Sequence, residues 1–320
     1  GDPSVIPIIG TPGSFSISLP DTLPNDIKSY SFIADPFSYI AVSHFDTLWD
    51  ASYVSPSGSV TLDMPGLSDD SCLVVITGQN KVPMIKTIYF SEINKPYINL
   101  SGTAINDSLG DDDGAADFNE TLFLKLTIGN LGSVSATGVT AEISSASPYV
   151  TIINSVANIG TLLPGTEKVS SDDLSFTLTG DFPDNGAVTF ILTLKCGSVE
   201  KHYNVDISVH SPKLEIINYT IDDSETGNGN FIADPGETFK FIFQIINLGS
   251  SNTSGQFNIS SPDPEISLIE SSKNSGTLNS GVVIEIPLLA KISESVPSGT
   301  TISLSAILDC NPFFANRSFS

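Results

Sequence analysis

Apolar and polar residues alternate along this chain in runs of about five to eight, as in "SFSISL", "SYIAVSHF", "SVTLDM", "LFLKLTI", "TFILTL", "FKFIFQII" and "TISLSAIL". A period of two sends successive side chains to opposite faces, so each run reads as a strand with one buried face. Val, Ile, Thr and Phe, which pack well on a pleated surface, fill the runs, while Gly, Pro, Asn, Asp and Ser punctuate them. No window carries apolar residues at helical spacing, and the turn signals recur at the interval of a β-sandwich rather than of a βαβ unit. The pattern predicts an all-β fold of three consecutive immunoglobulin-like β-sandwiches.

Self-comparison divides the chain. "GDDDGAADFNETLFLKLTIGNLGS" at 110–133 lies without a gap against "GNGNFIADPGETFKFIFQIINLGS" at 227–250, an offset of 117 (237 less 120). Farther on, Gly160-Thr161-Leu162 matches Gly276-Thr277-Leu278, and Cys196 matches Cys310. A proline leads into a new strand at "KPYINLSG" and again at "SPKLEIIN", so the predicted domains are residues 1–95, 96–210 and 211–320, the last two being copies of one module. The first copy closes with "KHYNVDISV" and the second with "NRSFS", which reads as a final strand cut short, with the natural protein expected to continue past Ser320.

Charge narrows the partners. Lys and Arg number 13 against 36 Asp and Glu, a formal net charge of −23, so a polyanion would meet repulsion rather than counterion release. Nucleic acid is not expected as a partner, and with no continuous apolar stretch of about 18–20 residues neither is membrane insertion. A monomer is expected. Cys72, Cys196 and Cys310 each sit in an alternating apolar run and read as buried core residues, and His44, His202 and His210 show no arrangement with them that would make a nucleophile. Trp49, near Phe45 and Tyr53, reads as a core residue rather than an exposed ligand platform.

The candidate chemistry lies where the two copies coincide. Asp111, Asp113, Asp117 and Glu120 of the first match Asn228, Asn230, Asp234 and Glu237 of the second. Calcium takes six to eight oxygen ligands from carboxylates, amide side chains, carbonyls and water, and these loops offer that donor type without sulfur or imidazole. Pro235 and Gly236 set a turn that brings Asp234 and Glu237 back together, and Asn119 is the residue best able to take the place of Gly236. The successive Asp111, Asp112 and Asp113 would repel one another unless a cation or solvent screened them. The spacing is not that of an EF-hand, because Ile232 stands at the fifth position and no Gly at the sixth. A solvated acidic turn is the alternative to a structural calcium site.

Residues 50–90, with Ser57-Gly58-Ser59-Val60-Thr61-Leu62 and Val75-Ile76-Thr77-Gly78-Gln79-Asn80-Lys81-Val82, resemble the immunoglobulin-like domain that follows the catalytic domain of gingipain-type cysteine peptidases. Gly1-Asp2-Pro3-Ser4 looks like the segment where that catalytic domain ends, and residues 96–320 resemble repeated immunoglobulin-like, CARDB-like modules of large secreted bacterial proteins. The resemblance implies the non-catalytic tail of a secreted or cell-surface peptidase, extracellular, packed on an upstream catalytic domain of the same chain and serving as a calcium-stiffened spacer. The family's catalytic His and Cys precede this region, so no catalytic residue is carried over. The competing expectation is a surface adhesin whose repeats bind host protein or glycan directly.

Overall fold

The computed structural model describes residues 10–320 apart from 18, 26, 57, 65, 69 and 298, so Gly1-Asp2-Pro3-Ser4 and Ser57 of the resemblance lie outside the described residues. Among the described residues every regular element is a strand and no helix forms, so none is long and apolar enough to cross a membrane. The fold is all-β, built of several separate sheets that pair into sandwiches.

The first group of strands is β1 (Thr22–Pro24), β2 (Ser29–Ile33), β3 (Tyr39–His44), β4 (Thr47–Tyr53), β5 (Ser59–Asp63), β6 (Ser71–Thr77) and β7 (Met84–Ser91). β1, β7, β6, β3 and β4 form one sheet in that order, and β2 pairs β5 in the other. The inward positions are Tyr30, Phe32, Ile40, Val42, Val60, Leu62, Val74, Ile76 and Ile88, all buried in one core. Each contributes roughly 1.5–3 kcal/mol of burial, which is what the alternation in the sequence encodes.

The second group is β8 (Ile98–Asn106), β9 (Thr121–Asn130), β10 (Ala136–Ser144), β11 (Val150–Asn154), β12 (Val156–Leu162), β13 (Glu167–Val169), β14 (Ser175–Leu178), β15 (Gly186–Cys196) and β16 (Val199–Val209). β12, β10, β15 and β16 make one sheet, and β11, β14, β9 and β13, with β8 on β9, make the other. The third group is β17 (Leu214–Asp222), β18 (Thr238–Asn247), β19 (Thr253–Ser260), β20 (Ile266–Leu268), β21 (Ser272–Leu278), β22 (Val283–Ile292), β23 (Leu304–Cys310) and β24 (Phe313–Phe319). Its sheets run β17-β18-β22-β20 and β21-β19-β23-β24.

The repeat is visible in the packing. Leu122, Leu124, Leu126 and Ile128 alternate into the core from β9, and Phe239, Phe241, Phe243 and Ile245 do so at the matching places of β18. Three leucines of one copy become phenylalanines in the other. The larger rings are accommodated by edge-to-face and tilted contacts, Tyr219 to Phe241 at 5.2 Å and Phe243 to Phe257 at 4.9 Å between centroids.

A shared polar device sits at the end of the same strands. Asn130 and Asn247 are fully buried, and all four of their side-chain hydrogen-bonding sites are used. Asn247 Oδ1 accepts from the Lys213 and Gly249 N–H groups at 3.0 and 2.9 Å, and its Nδ2 donates to the Ser251 and Leu278 carbonyls at 2.8 and 3.1 Å. Asn130 does the same with Tyr97 and Gly132 as donors and Val134 and Leu162 as acceptors. The chain at 95–97, just before β8, is thereby tied to the end of β9, and that at 211–213, just before β17, to the end of β18. It passes so close that a Cβ on Gly132 or Gly249 would collide with the Lys95 or Ser211 carbonyl oxygen, which explains the glycine in both "NLGS" sequences.

The chain separates into two compact units. The first takes in residues up to 116, 120–178 and 187–207; the second takes in 117–119, 179–186 and 208–320. Within the first, β8 is stapled to β2: Asn99 Oδ1 accepts from the Tyr30 hydroxyl at 3.3 Å, and Asn99 Nδ2 donates to the Ser31 carbonyl at 2.7 Å.

Trp49 departs from its expected place in the core. It is 47% exposed on β4, with Phe45 and Tyr53 exposed beside it. β4 is an edge strand whose pairing with β3 sets Tyr53 opposite Tyr39 and Ala51 opposite Ala41 on the outer face, and a bulge leaves Trp49 without a cross-strand partner between Asp50 and Leu48.

Candidate functional site

The two acidic loops connect β8 to β9 and β17 to β18. Each is organised by a buried aspartate that the repeat alignment did not single out, Asp107 in the first and Asp223 in the second. Asp107 Oδ2 accepts the N–H groups of Asp113 and Gly114 at 2.8 and 3.0 Å. Asp223 Oδ2 accepts those of Gly229 and Asn230 at 2.9 and 3.1 Å, and its Oδ1 that of Phe231 at 3.0 Å. A buried carboxylate is tolerated here because converging backbone dipoles replace its water. Both residues directly follow a strand, in "AIND" and "TIDD", but the second loop is one residue longer between them and the aligned block. An ungapped match therefore slips past them.

The eight predicted residues fall into distinct roles. Glu120 Oε1 accepts the Asp111 N–H at 3.1 Å, and Glu237 Oε1 accepts the equivalent Asn228 N–H at 3.0 Å. Glu237 Oε2 also takes the Asp234 N–H at 3.2 Å, so the turn returns Asp234 and Glu237 to each other as its sequence implies. Asn119 and Gly236 both adopt the left-handed conformation, φ 64° and 87°, and the turn survives the change of residue. Asp113 Oδ1 and Asn230 Oδ1 each accept an N–H two residues on, at 2.8 Å in both loops.

The loops differ in what balances the oxygens. In the second, Asn228 Nδ2 and Asn230 Nδ2 both donate to Asp234 Oδ2 at 2.9 Å. In the first, those two places hold Asp111 and Asp113, and with Asp107 they present three carboxylate oxygens within 4.8 Å of one another. Asp117 is buried, accepting the Ser251 hydroxyl at 2.8 Å with His210 Nδ1 3.7 Å from its other oxygen. Flanking the second loop, the Ser224 hydroxyl and N–H hold the Asp222 carboxyl below the usual carboxylate range.

The cysteines are all buried and unpaired in disulfides. Burial pushes the Cys72 and Cys310 thiols up to about 11, the opposite of what a nucleophile requires. The histidines face other partners: His44 Nδ1 lies 3.0 Å from the Ser71 carbonyl, and His202 Nδ1 3.1 Å from the Thr193 hydroxyl.

No protein-family model matches the chain. It is 35% identical over 107 residues to Lys-gingipain of Porphyromonas gingivalis, a match that covers 32% of this chain and 6% of that protein. The chain thus spans a small fraction of the curated relatives it matches. Among solved structures, one titled as that of a protease is 35% identical over 28% of this chain and 20% of its own, with a TM-score of 0.25. A protein of unknown function from Porphyromonas gingivalis W83 aligns at 11% identity over 64% of this chain and 92% of its own, with a TM-score of 0.21. At these TM-scores neither superposition bears on function. Part of this chain is locally related in sequence to a gingipain region.

Proposed function

We propose that this chain is a non-catalytic region of a gingipain-like, secreted or cell-surface cysteine peptidase, made of immunoglobulin-like sandwiches that pack on the catalytic domain and extend from it as a spacer. The observation that carries this reading is the 35% identity over 107 residues to Lys-gingipain. Three features support it. The cysteines lie in the cores with no histidine among their described partners. β8 and β2 are joined by buried hydrogen bonds, which suits an arm that holds its shape. The outer face of the first sheet presents Tyr39, Trp49, Tyr53, Leu73 and Ile85, each at least 38% exposed, a strip suited to covering by another domain.

Calcium belongs to this proposal at the first loop, held by Asp107, Asp111 and Asp113; the second loop holds its shape through its own amides. The test is peptidase activity. The purified chain should hydrolyse no peptide substrate, and the parent protein that contains it should. Hydrolysis by the chain alone that is lost when one of the cysteines at positions 72, 196 and 310 is replaced by Ala would overturn the reading.

A direct adhesive role is the second reading. Phe231 favours it: 64% exposed at the tip of the second loop, next to exposed Ile232, and in the left-handed backbone region at φ 63°. Loss of cell or glycan binding on Phe231→Ser would support adhesion by this loop.

A further inference from the structure

We propose that the cavity bounded by Lys95, Tyr97 and Lys201 in the first unit is a binding site for a carboxylate-bearing small ligand. The cavity holds about 550 Å³ and is lined by Thr22, residues 91–97, Val199 and Lys201. That is room for one or two sugar or amino-acid units.

The Lys201 ammonium lies 3.4 Å from the centroid of the Tyr97 ring, whose hydroxyl is fixed by donating to the Thr22 carbonyl at 3.0 Å. Among the described residues Lys201 forms no ion pair and no hydrogen bond, while five of the other lysines (81, 86, 125, 195 and 240) each have a carboxylate within 4.0 Å. Partly buried charges are ordinarily paired. Lys201 is instead near a second cation, Lys95, and burial together with that repulsion brings its pKa down to about 8. In a chain with 36 acidic and 13 basic residues, two adjacent lysines at a cavity without a carboxylate bound to either is the reverse of the general charge pattern. The one acid in the lining, Glu92, is exposed and accepts from Asn94 Nδ2 at 2.8 Å. An anion entering the cavity would supply the acceptor that both ammonium groups lack, with the Tyr97 ring as one wall.

The site is independent of the peptidase reading. Calorimetric titration of the intact chain at pH 7 with glucuronate and with N-acetylglycine, against glucose and N-acetylglycinamide, tests it. Saturable binding of a carboxylate and not of its neutral counterpart is expected, and the tighter of the two identifies a sugar acid or a peptide end as the ligand. Lys201→Met should weaken binding roughly tenfold or more, the value of one charge-assisted hydrogen bond, and Lys95→Gln should weaken it less. Lys201→Met removes an unpaired charge from a partly buried place, so an unchanged or higher Tm shows that the variant is folded. The other titratable groups around Lys201 are Lys95, Glu92, Asp21, Tyr97, Tyr30 and Tyr203, and binding should fall as the pH rises past about 8. Absence of binding by both carboxylates, or equal binding by Lys201→Met, would overturn the proposal.

Discussion

Replacing Asn247 by Ala should cost the second unit more than any surface change in the chain. The side chain is fully buried and makes four hydrogen bonds, all to backbone groups. Its removal takes the partner from two N–H groups and two carbonyls, and three of the four contacts are buried. Each unsatisfied buried group costs about 1–3 kcal/mol, and a water entering the vacated space recovers part, which leaves about 3–5 kcal/mol. Against a total stability of about 5–15 kcal/mol that is a large fraction, and it should lower the unfolding midpoint of this unit by about 10–25 °C. Differential scanning calorimetry and urea unfolding read it directly. Asn247→Asp sharpens the test. It retains the two acceptor contacts but turns both donor contacts into oxygen facing oxygen, with a buried charge. The folded carboxyl should then titrate above its unfolded value, so the variant is least impaired in acid and loses stability as the pH rises through the folded pKa. A cost below 1 kcal/mol for Asn247→Ala, or a pH-independent cost for Asn247→Asp, would refute the reasoning.

Gly249→Ala should destabilise by about 1–3 kcal/mol or prevent folding, because its Cβ meets the Ser211 carbonyl, and Gly132→Ala should do the same to the first unit; urea midpoints check both. Between about pH 8 and 9 the stability of the first unit should rise, by at most about 1.4 kcal/mol per pH unit, because Lys201 releases its proton near 8 when folded and only near 10.5 when unfolded. Above pH 9 the trend should reverse as the unfolded chain ionises Cys72 and the phenols of Tyr30, Tyr97 and Tyr203, all of which burial raises in the folded unit, and Lys201→Met should abolish the rise. Calcium, with magnesium as control, should raise the midpoint by an amount equivalent to about 2.7 kcal/mol at 100 times its Kd. The effect should vanish in Asp111→Asn/Asp113→Asn and persist in Asp234→Ala/Glu237→Ala, and an equal shift in all variants would sink the first-loop assignment.

The strands were legible because period-two alternation is a direct image of one-sided burial, as Phe239, Phe241, Phe243 and Ile245 show. The turn at Asn119 and Gly236 was legible for a backbone reason, since few residue types tolerate positive φ. Asp107 and Asp223 were not, because a loop of different length hides them from an ungapped repeat and because nothing local marks an aspartate as buried. The contrast between the loops was hidden as well. Asn and Asp both read as oxygen donors, yet the side-chain amides of Asn228 and Asn230 donate to Asp234, a contact that the carboxylates of Asp111 and Asp113 cannot make. Trp49 misled because alternation assumes an unbroken ladder, whereas the pairing of edge strand β4 with β3 is interrupted by a bulge at Trp49 that leaves it without a cross-strand partner.

The strip around Trp49 also offers the most direct test of the proposed function. Trp49 is the one tryptophan of the chain, so 5-fluorotryptophan labelling gives a single fluorine resonance on the face expected to meet the catalytic domain. Titrating the labelled chain with the cysteine-peptidase domain of its own parent protein should shift or broaden that resonance saturably, and Ile85→Glu on the same face should weaken the effect. A resonance that stays unmoved at saturating catalytic domain, or a parent protein that carries no such domain, would contradict the account.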